Sequence, residues 1–221
     1  MLYYRQVRFG DRGAVLSKLS LDVREQIEDG VSVLKRGGLV AFPTDTVYGL
    51  GACFNNLKAV GRIYELKQRP LDMALPLLVA DIAQMSEVAK VSPVALILAR
   101  RFLPGALTLV LPRAKIVPDI IIGGGETVAV RIPAHPVPIA LIRGVGQPIV
   151  GTSANITGQP SALTADEVLS QFGDKIDLVI DGGRCPGGVE STIVDITGEV
   201  PKLLREGAIS RQELEQVCNL I

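Results

Sequence analysis

Tryptophan is missing from this chain, aromatic residues make up only 4% of it, and histidine occurs once, as His135. The scarcity of aromatics leaves an aliphatic core of Val, Ile, Leu and Ala. That favours strands covered by helices over an aromatic-rich β-sandwich. A single histidine between Ala134 and Pro136 argues against a Ser-His-Asp hydrolase and reads as structural. Cysteine occurs only at Cys53, Cys185 and Cys218. These lie far apart with no C-x-x-C pair, so neither a zinc site nor a disulfide framework is suggested. Free thiols in a reducing compartment are expected instead. Neither charge sign is in excess, with 23 basic and 23 acidic residues. The global cationic footprint of a nucleic-acid binder is therefore absent, although a local basic cleft stays open. No apolar run approaches the length of a membrane span. The first residues carry Arg5, Arg8, Asp11 and Arg12 and lack the apolar region of a signal peptide. A cytoplasmic protein with no membrane partner is expected. Common catalytic signatures are missing too. The chain has no Gly-Lys dipeptide and hence no P-loop, no G-x-G-x-x-G opening a helix after a strand, and no G-x-S-x-G elbow.

What is present is a regular alternation of apolar strands and amphipathic helices. The 221 residues are 48% hydrophobic, and no linker, repeat or low-complexity tract divides them. One α/β domain over 1–221 is expected. Val7 and Phe9 around Arg8 suggest a short edge strand. Val23, Ile27, Val31 and Leu34 recur at helical spacing, predicting a helix over 22–36 stopped by Gly37-Gly38. A strand over 39–43 follows, then a helix over 57–67. Lys67 and Arg69 precede Pro70, which predicts two cations converging from an extended or turning loop. Further strands are expected over 75–79, 107–111, 127–132, 148–151, 176–180, 190–196 and 202–205. Ser92-Pro93 starts a helix to about residue 102, and a short helix is expected over 136–143. Thr164 with Glu167, and Ser210 with Glu213, read as capping boxes. Residues 120–125, apolar and then glycine-rich, read as a mobile loop.

The chain is organised around Ala41-Phe42-Pro43-Thr44-Asp45-Thr46-Val47-Tyr48-Gly49-Leu50-Gly51. A buried strand that ends in hydroxyls and glycines reads either as the floor of a small-molecule site or as a tight turn with a satisfied Asp-Thr network. Similar strand ends recur: Thr127 with Arg131, Ser153 with Asn155, then Ser191 and Arg205. Hydroxyls, an amide and several cations meeting in one cleft suit an anionic ligand with many oxygens, because arginine grips phosphate or carboxylate through two charge-assisted bonds.

The segments Phe42-Pro-Thr-Asp-Thr-Val-Tyr-Gly-Leu50, Lys67-Gln-Arg-Pro70, Pro104-Gly-Ala-Leu-Thr108, Val128-Ala-Val-Arg-Ile-Pro133, Ser153-Ala-Asn155, Glu190-Ser-Thr192 and Leu204-Arg-Glu-Gly-Ala-Ile-Ser210 come in one order. In that order they resemble the YrdC/Sua5 family over about residues 25–210. The resemblance implies a twisted open α/β sheet around a concave, positively charged cavity, in the short bacterial form without an extra C-terminal domain. It implies an L-threonylcarbamoyladenylate synthase, a nucleotidyltransferase. Such an enzyme joins L-threonine, bicarbonate or CO2, and ATP, and a partner complex then modifies adenosine 37 of tRNA. By the same resemblance, Lys67, Arg69, Ser153 and Asn155 carry the chemistry. Thr46, Arg131, Gly151 and Ser191 hold threonine. Arg69, Thr127, Ser153, Ser161 and Arg205 hold ATP. Mg²⁺ arrives with the nucleotide and no protein-held metal is implied. Met73 and Leu78 depart from the family pattern, which places Asn and His there. A divergent paralogue with another acceptor, an RNA- or tRNA-binding module without catalysis, and a carbamoyl-adenylate enzyme of hydrogenase maturation are the alternatives.

Overall fold

The computed structural model describes residues 19–221, so the expected strand at Val7–Phe9 lies outside the described residues. Among the described residues one sheet contains all the strands: Val40–Phe42 (β1), Gly49–Cys53 (β2), Leu77–Leu78 (β3), Leu107–Pro112 (β4), Thr127–Arg131 (β5), Ile149–Ser153 (β6), Leu178–Val179 (β7), Thr192–Asp195 (β8) and Lys202–Arg205 (β9). Their order is β7-β1-β2-β6-β3-β5-β4-β8-β9. The sheet is mixed. β7 runs parallel to β1, β3 to β5 and β4 to β8, while the other neighbours are antiparallel. It is open, with β7 and β9 as its edges, as expected for the fold class.

The helices are Leu21–Lys35 (α1), Leu57–Lys67 (α2), Ile82–Val88 (α3), Pro93–Phe102 (α4), Asp119–Ile122 (α5), Pro136–Val145 (α6), Ala165–Phe172 (α7) and Arg211–Glu215 (α8). None among the described residues is long and apolar enough to cross a membrane. Their ends follow local chemistry. Ser92 accepts from the Ala95 amide with Pro93 in the first turn of α4, and Ser210 and Glu213 form a full capping box on α8. After α1, the amides of Gly37 and Gly38 return to the carbonyls of Leu34 and Val33. At α7 the expected box is only half made. Thr164 accepts from the Glu167 amide, but the Glu167 carboxylate reaches back one residue further, to the Leu163 amide at 2.7 Å.

Two expectations are corrected. Residues 119–122 are helical, because Ile121 and Ile122 are drawn into the core and order a stretch that its glycine-rich tail made look loose. Gly49–Cys53 is a full strand rather than a turn, paired with β1 and β6. Its glycines make room for an aromatic ring: a Cβ on Gly49 or on Gly51 would come within 2.8 Å of Phe42.

Side-chain alternation splits the core into two faces. On one face Leu50, Leu77, Leu109 and Val130 pack with Val60, Ile63, Met85, Leu98 and Val168 of α2, α3, α4 and α7. On the other, Val40, Phe42 and Ile149 pack with Ile27, Leu34, Leu141 and Ile142 of α1 and α6. Each such buried side chain contributes about 1.5–3 kcal/mol. The strand residues in this second cluster come from β7, β1, β2, β6 and β3. None comes from β5, β4 or β8, which leaves that part of the face bare of core, and the cavity lies there.

Candidate active site

Residues 108 and 110 of β4, 129 and 131 of β5, 151 and 153 of β6, and Ile193 of β8 share the bare face and line a cavity of about 430 Å³. That size suits a small-molecule site. Its walls carry Lys67, Arg69, Arg131 and Arg205 against a single carboxylate, Glu190.

At the inner end the Thr44–Thr46 turn is an internal network. Thr44 donates to the Val47 carbonyl at 2.7 Å and accepts from the Thr46 amide at 3.0 Å. With Thr44's proton spent, Thr46 Oγ1 must donate to Thr44 Oγ1 across their 3.0 Å contact. Thr46 Oγ1 also accepts from Arg131 Nη1 at 3.0 Å. Arg131 is buried, with Nη2 on Asp45 Oδ1 at 2.7 Å and Nε on the Gly105 carbonyl at 2.9 Å. Asp45 Oδ1 accepts from the Ala134 amide as well. The opening motif is therefore both a satisfied network and the wall of a cavity.

Lys67 is the last residue of α2, as the helix expected over 57–67 requires, so only Arg69 of the two cations comes from the turn. Gln68 then takes a left-handed conformation, φ 50°, which turns the chain and brings Arg69 to the same cavity. Lys67 is buried, 2% exposed as a residue. Its ammonium donates to the Ser153 carbonyl, to the Asn155 carbonyl at 2.6 Å and to Asn155 Oδ1 at 3.4 Å. Burial, and secondarily the Arg69 charge, lower its pKa to about 8. Asn155 is fixed in turn by donation to the carbonyls of Ile156 and Gln159. Arg69 donates to the Met73 and Ala74 carbonyls at 3.2 and 2.8 Å. Met73 thus serves through its backbone, and its side chain is exposed. Leu78 lies in the cavity floor directly over Gly151, where a Cβ would come within 2.3 Å of it.

At the outer end Arg205 donates through Nε and Nη2 to the Ser191 carbonyl at 3.1 and 2.7 Å, and through Nη1 to Glu190. The Ser191 hydroxyl meets the buried Thr108 hydroxyl at 2.8 Å.

Of the positions named from the sequence, Thr46, Lys67, Arg69, Arg131, Gly151, Ser153, Asn155, Ser191 and Arg205 line this one cavity. Thr127 and Ser161 do not. Thr127 begins β5 and shares the face of Ala129 and Arg131 by alternation, but lies beyond the lining. Ser161 stands behind Glu190, to which its hydroxyl donates at 2.9 Å. Sequence reasoning gave no role to Thr108 or Glu190 and put Asp45 only in a structural network, although all three stand inside the quoted motifs. His135 is outside the cavity lining. Its Nδ1 accepts from the Val137 amide at the start of α6, and burial lowers its pKa to about 4. Cys185 is a buried thiol that accepts from the Thr44 amide, with its pKa raised by burial. The cavity therefore brings together cations, hydroxyls and carbonyl-anchored amides. It is suited to positioning and neutralising anions rather than to attack by a protein nucleophile.

The Sua5_yciO_yrdC family model, described as telomere recombination, matches residues 32–207. Among curated proteins, the threonylcarbamoyl-AMP synthase of Pyrococcus abyssi is 47% identical over 207 residues, covering 91% of this chain and 61% of the relative. That of Bacillus subtilis is 43% identical over 198 residues, covering 89% of this chain and 57% of the relative. Among solved structures, P. abyssi Sua5 complexed with L-threonine superposes with a TM-score of 0.85 at 46% identity, covering 88% of this chain and 58% of that one. The chain thus spans about three fifths of the length of the relatives it matches.

Proposed function

The chain belongs to the Sua5/YciO/YrdC family, and from that premise we propose that its cavity joins L-threonine, CO2 from bicarbonate, and ATP into threonylcarbamoyl-AMP and pyrophosphate. The observation that carries this reading is the convergence of Thr46, Arg131, Lys67, Arg69 and Arg205 on one cavity, in a chain 46% identical to a protein crystallised with L-threonine.

At the inner end Arg131 offers its charge to the carboxylate of threonine, while Thr46 Oγ1, its proton given to Thr44, holds that guanidinium in place. The amine adds CO2 and loses a proton to become a carbamate. A carbamate oxygen then bonds to the α-phosphorus of ATP as the bond to pyrophosphate breaks. Both partners are anions, so the gain comes from holding them together and neutralising the charge that develops. Arg69 and Arg205, which both line the cavity, take the phosphates. Lys67, locked to the carbonyls of Ser153 and Asn155, fixes the loop between them and adds its charge. The reaction requires no histidine, which fits the placement of His135 as a helix cap. Mg²⁺ enters on the triphosphate. Glu190 is the sole carboxylate in the lining, and one carboxylate does not make a protein-held metal site, so the protein is not proposed as the metal's ligand. The adenylate then passes to a separate complex that modifies tRNA, which places the protein in the cytoplasm.

Pyrophosphate release by the purified protein tests this reading. Release is expected only when ATP, L-threonine and bicarbonate are all present. Release indifferent to threonine, or none, would overturn it. Salt-sensitive tRNA binding without ATP affinity would put an RNA-binding module in its place.

A further inference from the structure

Glu190 is the one acidic side chain in the cavity lining, and the reaction just described gives it no part. Both its oxygens are engaged. Oε1 accepts from the Ser161 hydroxyl at 2.9 Å, and Oε2 pairs with Arg205 Nη1. The pair sits at the mouth, with side-chain exposures of 41% for Arg205 and 36% for Glu190. The carboxylate also reaches the other cations electrostatically, raising the proton affinity of Lys67 and of Arg69.

Two observations separate this pair from a structural strut. First, Arg205 is already oriented without Glu190, because Nε and Nη2 both donate to the Ser191 carbonyl. That fixes the guanidinium plane and leaves the Nη1 edge as its free grip. Second, the Glu190 backbone is tied down separately, its carbonyl accepting from the Ala208 amide at 2.9 Å. The carboxylate can therefore leave Arg205 by side-chain rotation alone. A carboxylate and a phosphoryl group present the same pair of acceptor oxygens to a guanidinium edge. Glu190 fills that edge and the Ser161 hydroxyl together.

We propose that Glu190 is a resident counter-anion, which holds the phosphate-gripping edge of Arg205 and the Ser161 hydroxyl until the phosphate chain of a nucleotide displaces it. The inference rests on the cavity taking ATP. Without such an anion, the charges of Lys67, Arg69 and Arg205 would face one another across the cavity. With it, nucleotide affinity is set by an exchange of anions. The threonine end is untouched, because Arg131 has its own carboxylate, Asp45.

The test is calorimetric titration of MgATP, and separately of L-threonine, into the unaltered protein, Glu190→Gln and Glu190→Asp. The glutamine keeps the shape and one acceptor oxygen, which can still meet Arg205 Nη1 while its N–H group donates to the Ser161 hydroxyl instead, and it drops the charge. Glu190→Gln is expected to bind MgATP about two- to fivefold tighter, the range set by losing one half-exposed ion pair that competes with the ligand. Threonine affinity should stay unchanged. Glu190→Asp, too short to span Arg205 and Ser161 together, should show a smaller gain of the same sign, and it carries the test should the glutamine variant fail to fold. Equal or weaker MgATP binding by the folded variants overturns the inference and leaves the proposed reaction standing. No MgATP binding by the unaltered protein overturns both.

Discussion

The two ends of the cavity each hold an arginine–carboxylate pair, and the pairs differ in burial. Arg131 and Asp45 meet at 2.7 Å with side-chain exposures of 9% and 16%. Arg205 and Glu190 meet with exposures of 41% and 36%. Around the first pair every partner is internal: Thr46, the Gly105 carbonyl and the Ala134 amide. Around the second, one edge of the guanidinium faces the cavity mouth. The inner end is thus assembled by folding and arrives in one geometry. The outer end keeps a contact that a ligand can replace. A small ligand at the inner end gains most from a site that does not rearrange. A long, highly charged one at the mouth tolerates an exchange.

The largest expected effect breaks the inner pair. Asp45→Ala leaves the Arg131 charge buried without its counter-ion, which costs about 3–5 kcal/mol. Its outer counterpart, Glu190→Gln, should change stability by less than about 1 kcal/mol. Urea unfolding of the two variants beside the unaltered protein measures the difference. Equal losses would show that burial does not distinguish the ends.

A second, intermediate effect concerns Lys67, which lies between the ends. Its pKa is lowered to about 8, chiefly by burial, so the ammonium is charged at neutral pH. Raising the pH through about 8 removes one cation from the cavity of the free protein. MgATP affinity should then fall by about tenfold per pH unit, the slope of a single proton. Binding an anion favours the charged form, so the Lys67 pKa is higher in the nucleotide complex, and the fall levels off there. The stability contribution of this residue runs the other way. Between the folded pKa near 8 and the ordinary lysine value near 10.5 the unfolded chain binds more protons, so the penalty for burying the charge is relieved as pH rises. Weaker binding with no loss of stability from this group separates its titration from alkaline unfolding. MgATP affinity that stays flat to about pH 9 would mean that the Lys67 charge acts only on the Ser153–Asn155 loop.

How much of this was legible beforehand depended on the range over which each signal acts. Caps such as Ser92-Pro93 and Ser210 with Glu213 are set within a turn, and they were read correctly. Alternation along 127–131 places Ala129 and Arg131 on one face before any coordinates are seen. Strand Gly49–Cys53 was invisible because its composition opposes strand formation, and its glycines answer to Phe42 in the strand beside it. The left-handed turn at Gln68 carries no glycine to announce it. The Asp45–Arg131 pair spans 86 positions in sequence, and nothing in local periodicity connects the two. Motif order pointed to the cavity's contents, but only the sheet order β6-β3-β5-β4-β8 shows why they share one face.

The smallest effect tests whether the inner end extends to Ser191. Thr108 and Ser191 are both buried, and their hydroxyls meet at 2.8 Å. Either can donate, and Arg205 Nη2 lies 3.4 Å from Ser191 Oγ. A donor arriving from Arg205 favours Ser191 giving its own proton to Thr108, which leaves a lone pair of Ser191 facing the cavity. Thr108→Val keeps the shape and removes that acceptor, so the Ser191 proton turns toward the ligand. The loss of one neutral hydrogen bond is worth about 1 kcal/mol, so the KM for threonine should rise about fivefold with kcat little changed. Thr108→Ser should restore it. A fall in kcat that serine does not rescue would make Thr108 a packing residue, and the preorganised region would then end at Arg131.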